Sequence, residues 1–136
     1  PKGVLYVTVP HLNDSFDRGR TVTDLQHLIT DHELAAAGET QKLYERSRPH
    51  YEEWVRISQV NAGAPGRTDP QETARLIEEL LGAREEIHFH TFTEHSYRAL
   101  LEHFSTDVLP DMHLAEVTRN RTEIIGVLRR ADLAHH

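Results

Sequence analysis

"GVLYVTVP", Gly3 to Pro10, is the stretch of sequence that decides the fold. Its apolar, β-prone residues follow one another almost without a break: Val4, Leu5, Tyr6, Val7 and Val9. A strand with one wet face alternates apolar and polar side chains, whereas a strand covered on both faces does not. We therefore predict a strand buried on both faces, as in a parallel sheet under helices, within an α/β fold.

Composition restricts the class of protein. The length of 136 residues predicts a single domain, residues 1–136. The net charge is −7 with neutral histidines and no basic stripe stands out, so we expect no nucleic-acid partner. No apolar run reaches membrane-spanning length, no signal peptide is visible, and there is no cysteine. We therefore expect a cytoplasmic protein without a membrane partner. Protonating all 11 histidines would make the net charge positive.

Helix signals recur through the middle of the chain. The predicted N-caps, in chain order, are Thr21 (in a capping box with Asp24), Ser47, Asp69 and Thr93. We expect Gly38 and Gly82 to end the first and third of these helices, and Pro49 to lie in the first turn of the second. Asn61–Asp69 is the clearest linker, and Tyr51 and Trp54 share a face that indicates core packing.

The end of the chain predicts a strand hairpin. Met112–Arg119 and Thr122–Arg129 read as two antiparallel strands around a turn. We expect Val4–Val9 to lie beside one of them, because no other predicted strand is long enough to pair with it. Ile87–Phe92 is a short strand or an extended lead-in to the last helix, on which Phe92 packs as a hydrophobic staple.

Two motifs give this element order a family resemblance. They are "PKGVLYVTVP", residues 1–10, and "HFHTFTEHSYRALLEHF", residues 88–104. The chain resembles the C-terminal part of class I S-adenosylmethionine-dependent methyltransferases, from the fifth strand through the final hairpin. In that family a Pro-Gly-Gly-like turn precedes a fifth strand that ends in Val-Pro; here the turn is Pro1-Lys2-Gly3. Phe92–Leu101 resembles the family's last helix, and the hairpin resembles its sixth and seventh strands.

The resemblance implies a partial Rossmann-like sheet of about three strands with a helical substrate cap, residues 11–86. It implies a small-molecule substrate, and S-adenosylmethionine as cofactor in the complete enzyme. The family's first strands build the cofactor site around a glycine-rich turn. Here Gly63–Gly66 lies in a linker with no strand before it. We therefore expect this chain to be the substrate-side portion, inactive alone and without bound cofactor.

His88 and His90 are the first candidate site residues. They lie two apart in an alternating stretch, so both imidazoles are expected on one side. Three interpretations stay open: a metal site with His95 or Glu94 as a weak third ligand, bonds to backbone groups at the junction, or a substrate pocket. Two histidines without a fixed third ligand rarely hold zinc, so we expect no metal as purified.

Two further sets of candidates come from helix spacing and loop position. Asp24, His27 and Asp31 share a helix face, where a carboxylate beside an imidazole suits a general base; an ordinary solvated face is the alternative. The catalytic candidates are therefore His27, Asp31, His88 and His90. The substrate-binding candidates, in or next to the polar loop after the first strand, are His11, Asp14, Asp17 and Arg18.

A second function and an association state complete the predictions. The alternative function is a small self-contained histidine-rich α/β binding module that responds to metal or pH. With the preceding strands missing, strand 4–9 has an open edge. We expect a homo-oligomer formed through that edge.

Overall fold

The computed structural model describes residues 3–66 and 68–131. The strands are β1 Val4–Pro10, β2 Met112–Asn120 and β3 Glu123–Arg130. The helices are α1 Leu25–Ala36, α2 Thr40–Glu53, α3 Pro70–Ala83 and α4 Glu94–His103. Helix α2 runs on through a wide π turn, Trp54–Ser58, into Gln59–Asn61, and α4 runs on into a π turn, Phe104–Val108. The predicted mixed α/β fold is confirmed.

The chain divides into two compact units. One unit holds the three strands and α4, from the described residues up to His11 and from Phe92 onward. The other is Leu12–Thr91 and holds α1, α2 and α3. Within the described residues, no helix is both long enough and apolar enough to cross a lipid bilayer.

The sheet confirms the predicted hairpin and its partner. Its order is β1-β3-β2, and β3 is antiparallel to both neighbours, with Val4 opposite Arg129 and Met112 opposite Arg130. Ile124 and Leu128 of β3 are fully buried. Helix α4 packs on the sheet, and the Tyr97 hydroxyl donates to the Val7 carbonyl oxygen at 2.9 Å.

Strand β1 is less covered than its sequence predicts. The side chains of Val4, Leu5 and Tyr6 are 55%, 43% and 68% exposed. The prediction of a strand buried on both faces is therefore wrong, because no residue of β1 is buried. The strand lies at an edge of an antiparallel sheet, and its continuous apolar run reflects β-propensity without two-sided burial.

Half of the predicted N-caps are confirmed. The Asp69 carboxylate accepts from the Gln71 N–H at 2.9 Å. Thr93 forms a reciprocal capping box with Ser96. The predicted staple is also present, since the Phe92 and Tyr97 ring centroids lie 5.5 Å apart.

The other two predicted N-caps are wrong. Asp24, not Thr21, caps α1, because the Thr21 hydroxyl is turned toward the Glu53 carboxylate at 2.5 Å. Helix α2 begins at Thr40, so Ser47 and Pro49 lie inside it. The Ser47 hydroxyl donates back to the Tyr44 carbonyl oxygen, as serine does within a helix.

The predicted helix ends divide in the same way. Gly38 follows α1 with φ of 72°, the left-handed conformation that ends helices. Gly82 lies inside α3, which ends at Arg84 in the left-handed conformation. The prediction that Gly82 ends this helix is therefore wrong, since the left-handed residue that ends it is two positions later.

The core of Leu12–Thr91 lies between α2 and α3. Its buried side chains are Tyr51, Val55, Ile77 and Leu81, and Trp54 packs against them. The Tyr51 hydroxyl donates to the Glu85 carbonyl oxygen at 2.7 Å, which satisfies the one polar atom of this ring. The predicted core role of Tyr51 and Trp54 is confirmed, and this packing holds α2 in place.

Candidate functional site

Three histidine side chains converge within Leu12–Thr91. His27 lies in the first turn of α1, His50 near the end of α2, and His90 in the extended stretch before Phe92. Their ring centroids are 5.0, 5.4 and 5.2 Å apart. One ring nitrogen from each lies within 4.8 Å of the other two. We call His27, His50 and His90 the histidine cluster.

Local structure explains how α1 and α2 bring two of these rings together. The Asp24 carboxylate accepts from the backbone N–H of His27 at 2.7 Å, which fixes where α1 begins. A short connection then turns the chain from α1 into α2, so the two helices are neighbours. His50 lies on the same α2 face as Arg46, one turn away, and both contact His27.

The third ring is held by its backbone. The buried Arg20 guanidinium donates to the carbonyl oxygens of His88 and Phe89, at 2.6 and 3.1 Å. Thr23 and Thr91 are bonded to each other through two contacts of 3.0 Å. These bonds fasten the stretch on both sides of His90 and leave its ring at the cluster.

Asp31 and Arg46 complete the polar contacts of the cluster. Asp31 Oδ2 lies 3.0 Å from His27 Nε2 and 3.3 Å from His90 Nε2. Arg46 Nε donates to Asp31 Oδ1 at 2.6 Å, and Arg46 Nη2 lies 3.1 Å from His27 Nδ1. These partners assign His27 a neutral tautomer in which Nδ1 accepts from Arg46 and Nε2 donates to Asp31.

The environment favours neutral His50 and His90 rings beside an ionised Asp31 carboxylate. Burial, together with the charges of His90, His27 and Arg20, lowers the pKa of His50 to about 4. Burial also lowers the pKa of His90, although Asp31 opposes the shift. For Asp31, burial acts to raise the pKa, but the Arg46 hydrogen bond and the neighbouring positive charges outweigh it, so the net shift is downward.

Two open cavities reach the cluster. The larger, about 360 Å³, is lined by His27, Arg46 and His50 together with Glu53 and residues of the 21–24 loop. The smaller, about 180 Å³, is lined by His50 and His90 together with Asp31 and Arg46. The cluster is therefore accessible to a small ligand or an ion.

Comparison with protein-family models, curated proteins and solved structures gave no match to this chain.

His88 belongs to a different network. Its Nδ1 lies 2.9 Å from Asp17 Oδ2. Asp17 Oδ1 accepts from the Ser58 hydroxyl at 2.6 Å and from Arg20 at 2.9 Å. The side chains of Asp17 and Arg20 are almost fully buried. We call these residues (Asp17, Arg20, Ser58 and His88) the Asp17 network, and its contacts are those of a structural anchor.

The structure thus separates the sequence candidates. His27, Asp31 and His90 come together, whereas His88 does not join them. Asp17 is committed to its network, and Asp14 and Arg18 lie exposed in the same loop. His11 belongs to the strand unit, where its backbone N–H donates to Thr122. Among the described residues, the histidine cluster is the group with metal-ligand spacing, and neither His88 nor His95 is a member.

Sequence reasoning missed His50 and Arg46. A signal was present: Arg46, His50 and Glu53 are spaced four and three apart, so they share one face of a helix. Because Pro49 was placed at a helix start, that face was divided between a connection and a new helix. The single continuous helix α2 restores it.

Proposed function

We propose that this chain is the substrate-side part of an S-adenosylmethionine-dependent methyltransferase. The observation that carries the proposal is the pairing of β1 with β3, the second strand of the closing hairpin. The proposal assigns β1, β2 and β3 to the fifth, sixth and seventh strands of such an enzyme.

Strand order and direction support this assignment. In the class I methyltransferase fold, the last strand runs antiparallel between the fifth and the sixth. The order β1-β3-β2, with β3 antiparallel to both neighbours, is the arrangement expected. If β1 paired instead with β2, the first strand of the hairpin, the order would be β1-β2-β3. The helical insert also leaves the end of β1, where substrate-recognition segments of open α/β sheets are found.

The described residues include candidates for binding the methyl acceptor but no segment of the kind that binds the methyl donor. Strand β1 is followed by a short 3-10 turn, Leu12–Asp14, without glycine. A cofactor's backbone cradle of the glycine-rich kind has no counterpart among residues 3–66 and 68–131.

The acceptor-side role falls to the His27–Asp31 pair. An acceptor nucleophile loses a proton when it is methylated, so a neutral imidazole within reach assists the transfer. Asp31 Oδ2, at 3.0 Å from His27 Nε2, orients that ring, and the proton would go to Nδ1, so Arg46 must turn away from Nδ1 when the acceptor binds. The cavity of about 360 Å³ beside His27 has room for a small acceptor.

The test compares this chain with the polypeptide encoded by its whole reading frame. Isothermal titration with S-adenosylmethionine is expected to give one-to-one binding at micromolar concentration for the whole polypeptide. The chain of 136 residues should give no measurable heat. A whole polypeptide that does not bind the cofactor would overturn the proposal, as would micromolar binding by the short chain alone.

A self-contained histidine-rich binding module is the second candidate function. The convergence of His27, His50 and His90 within one compact unit favours it. The same titration separates the two candidates, because a binding module has no affinity for S-adenosylmethionine in either polypeptide.

A further inference from the structure

We propose that His27, His50 and His90 form a binding site for a divalent transition-metal ion of the zinc class. The site draws one imidazole from each of three separate segments of Leu12–Thr91. It was not visible as a sequence motif, because its ligands are 23 and 40 positions apart in the chain. The inference rests on the geometry of the cluster and not on the methyltransferase proposal, and an ion bound to His27 would replace the proton-accepting role given to that ring above.

The spacing of the ring nitrogens matches a tetrahedral ion. Zinc–imidazole bonds of about 2.0–2.1 Å place neighbouring ligand atoms about 3.3 Å apart around a tetrahedron. His27 Nε2 and His50 Nε2 are 3.1 Å apart. Asp31 Oδ2 lies 3.0 Å from His27 Nε2 and 3.3 Å from His90 Nε2. One ring nitrogen from each histidine lies within 4.8 Å of the other two, so the third imidazole must move closer for all three to surround one ion.

The donor chemistry selects the class of metal. Imidazole nitrogens suit zinc, copper, nickel and cobalt, whereas magnesium and calcium prefer sites made of oxygen alone. Three imidazoles with one further position is the ligand count of zinc sites that keep a place for water or substrate. Asp31 is close enough to occupy that position, and the adjoining cavities give a ligand access to it.

A change of tautomer explains how the ion would enter. Without metal, the Nε2 atoms of His27 and His90 are in hydrogen-bonding distance of the Asp31 carboxylate. For an ion to bind, each of these rings shifts to the tautomer with its proton on Nδ1, which frees the Nε2 lone pair for the metal. The carboxylate then partly balances the charge of the ion.

Arg46 is the group that opposes binding. Its guanidinium donates to Asp31 and to His27 Nδ1, so it places a positive charge beside the site. When a metal holds His27 through Nε2, Nδ1 carries the proton, and Arg46 can no longer donate to it. Arg46 must therefore turn away as the ion enters, which lowers the affinity without removing the ligands.

The experiment titrates the full chain with Zn²⁺ and with Co²⁺. All proteins carry His135→Ala and His136→Ala, so that the two terminal imidazoles cannot contribute to the signal. We expect one ion per chain with a dissociation constant in the micromolar range or below. Co²⁺ should give the intense visible absorption of a four-coordinate ion, which reports the geometry without any substitution in the cluster.

Substitutions then locate the site. His50→Ala and His90→Ala should each weaken Zn²⁺ binding by about 100-fold or more, because each removes one of three nitrogen ligands. His95→Ala, at an exposed position in the strand unit, should leave binding unchanged. Circular dichroism checks that each variant is folded, and His50→Gln serves if His50→Ala is not.

Three outcomes would overturn the proposal. They are no Zn²⁺ binding by the parent chain below about 100 μM, a cobalt spectrum typical of six-coordinate water ligation, and Zn²⁺ binding that survives both His50→Ala and His90→Ala. An affinity lost on His95→Ala but kept in the cluster variants would place the ion elsewhere and would equally reject the site.

Discussion

The Asp17 carboxylate joins several segments of Leu12–Thr91, and the stability of that unit depends on it. It accepts from Ser58, Arg20 and His88, while Arg20 in turn holds the backbone of His88 and Phe89. Asp17→Asn removes the charge that pairs with the buried Arg20. Breaking a buried pair by removing one partner typically costs about 3–5 kcal/mol. We therefore expect urea denaturation at pH 7 to show a loss of about 3 kcal/mol.

A surface ion pair gives the matched control. Arg48 pairs with Glu78 where both side chains are largely exposed. Glu78→Gln removes one carboxylate charge in the same way but should cost far less than Asp17→Asn, because solvent screens the pair. Equal losses for Asp17→Asn and Glu78→Gln would show that the Asp17 network is not a buried anchor.

The stability that the Asp17 carboxylate provides should depend on pH. Burial acts to raise the pKa of Asp17, but hydrogen bonds from Ser58, His88 and Arg20 outweigh it, so the pKa is lowered in the folded state. A lowered folded pKa gives stability that is present above the unfolded pKa, about 3.9, and is lost as the pH falls through the folded value. The difference in unfolding free energy between the parent and Asp17→Asn should therefore shrink below about pH 4. A difference that grows as the pH falls would contradict the assigned direction.

Substituting Arg46 tests the metal site by removing a group that opposes binding, whereas the histidine substitutions remove ligands. Arg46→Met keeps an unbranched apolar stem on α2 and removes the positive charge beside His27 and Asp31. We expect Zn²⁺ binding to tighten by about tenfold, because repulsion between like charges a few ångströms apart is worth about 1 kcal/mol or more even in a high dielectric. Lys42→Met, at an exposed residue of the same helix, should leave the affinity unchanged. Weaker binding in Arg46→Met would mean that Arg46 supports the cluster.

At the residue scale, sequence reasoning reached the site only where the chain itself supplied the proximity. His27 and Asp31 are one helical turn apart, so their pairing follows from helix geometry. His90 was found as a candidate because it stands in an unusual alternating stretch. His50 could not be joined to them, because its contact with His27 depends on how α1 and α2 pack. Packing angles between helices are not encoded in local spacing.

At the scale of elements, Gly126 decides how closely α4 can pack on the sheet. A Cβ at Gly126 would lie 2.2 Å from Leu101 Cδ1, which is far inside van der Waals contact. Gly126→Ala should therefore lower the stability by about 1–3 kcal/mol, as overpacking in a filled core does. Thermal unfolding followed by circular dichroism measures the loss. Measured in a Leu101→Ala background, Gly126→Ala should cost less, because the truncated side chain leaves room for the added methyl.

Gly82 is the matched control for this substitution. It lies inside α3, and a Cβ there would meet nothing within 4 Å. Alanine is favoured over glycine in a helix interior by about 1 kcal/mol, so Gly82→Ala should raise the unfolding temperature. A loss of stability for Gly126→Ala and a gain for Gly82→Ala would distinguish the effect of packing from that of helix propensity. An unchanged unfolding temperature for Gly126→Ala would show that α4 can move away from the sheet at little cost.

The elements also show which local signals decide structure. Asp69 and Thr93 cap as predicted, because each stands directly before a helix and its side chain accepts from a backbone N–H of the first turn. Thr21 does not, since Glu53, 32 positions further along the chain, binds both its backbone N–H and its hydroxyl. Pro49 signals a helix start only when no helix is already running. Helix α2 begins nine residues earlier and continues through it, and the core contacts of Tyr51 and Val55 keep it continuous.

At the scale of the whole molecule, the outer edge of β1 is the feature left to explain. Strand β3 pairs with one edge of β1, and within the described residues no strand pairs with the other. Val4, Leu5 and Tyr6, at the start of that strand, are among the exposed large apolar side chains. Unpaired backbone groups next to apolar side chains favour pairing with another strand.

Sedimentation equilibrium tests what fills this edge. The chain alone should form a dimer or larger species through β1, and Leu5→Lys together with Tyr6→Lys should convert it to a monomer, because charges on an edge strand oppose pairing. Val108→Lys, at another exposed apolar position outside the sheet, should leave the association unchanged. If the methyltransferase proposal holds, the whole reading frame supplies an earlier strand to this edge, and the longer polypeptide should not associate through β1. A parent chain that sediments as a monomer, or a dimer that survives the double lysine variant, would show that the edge of β1 is stable without a partner.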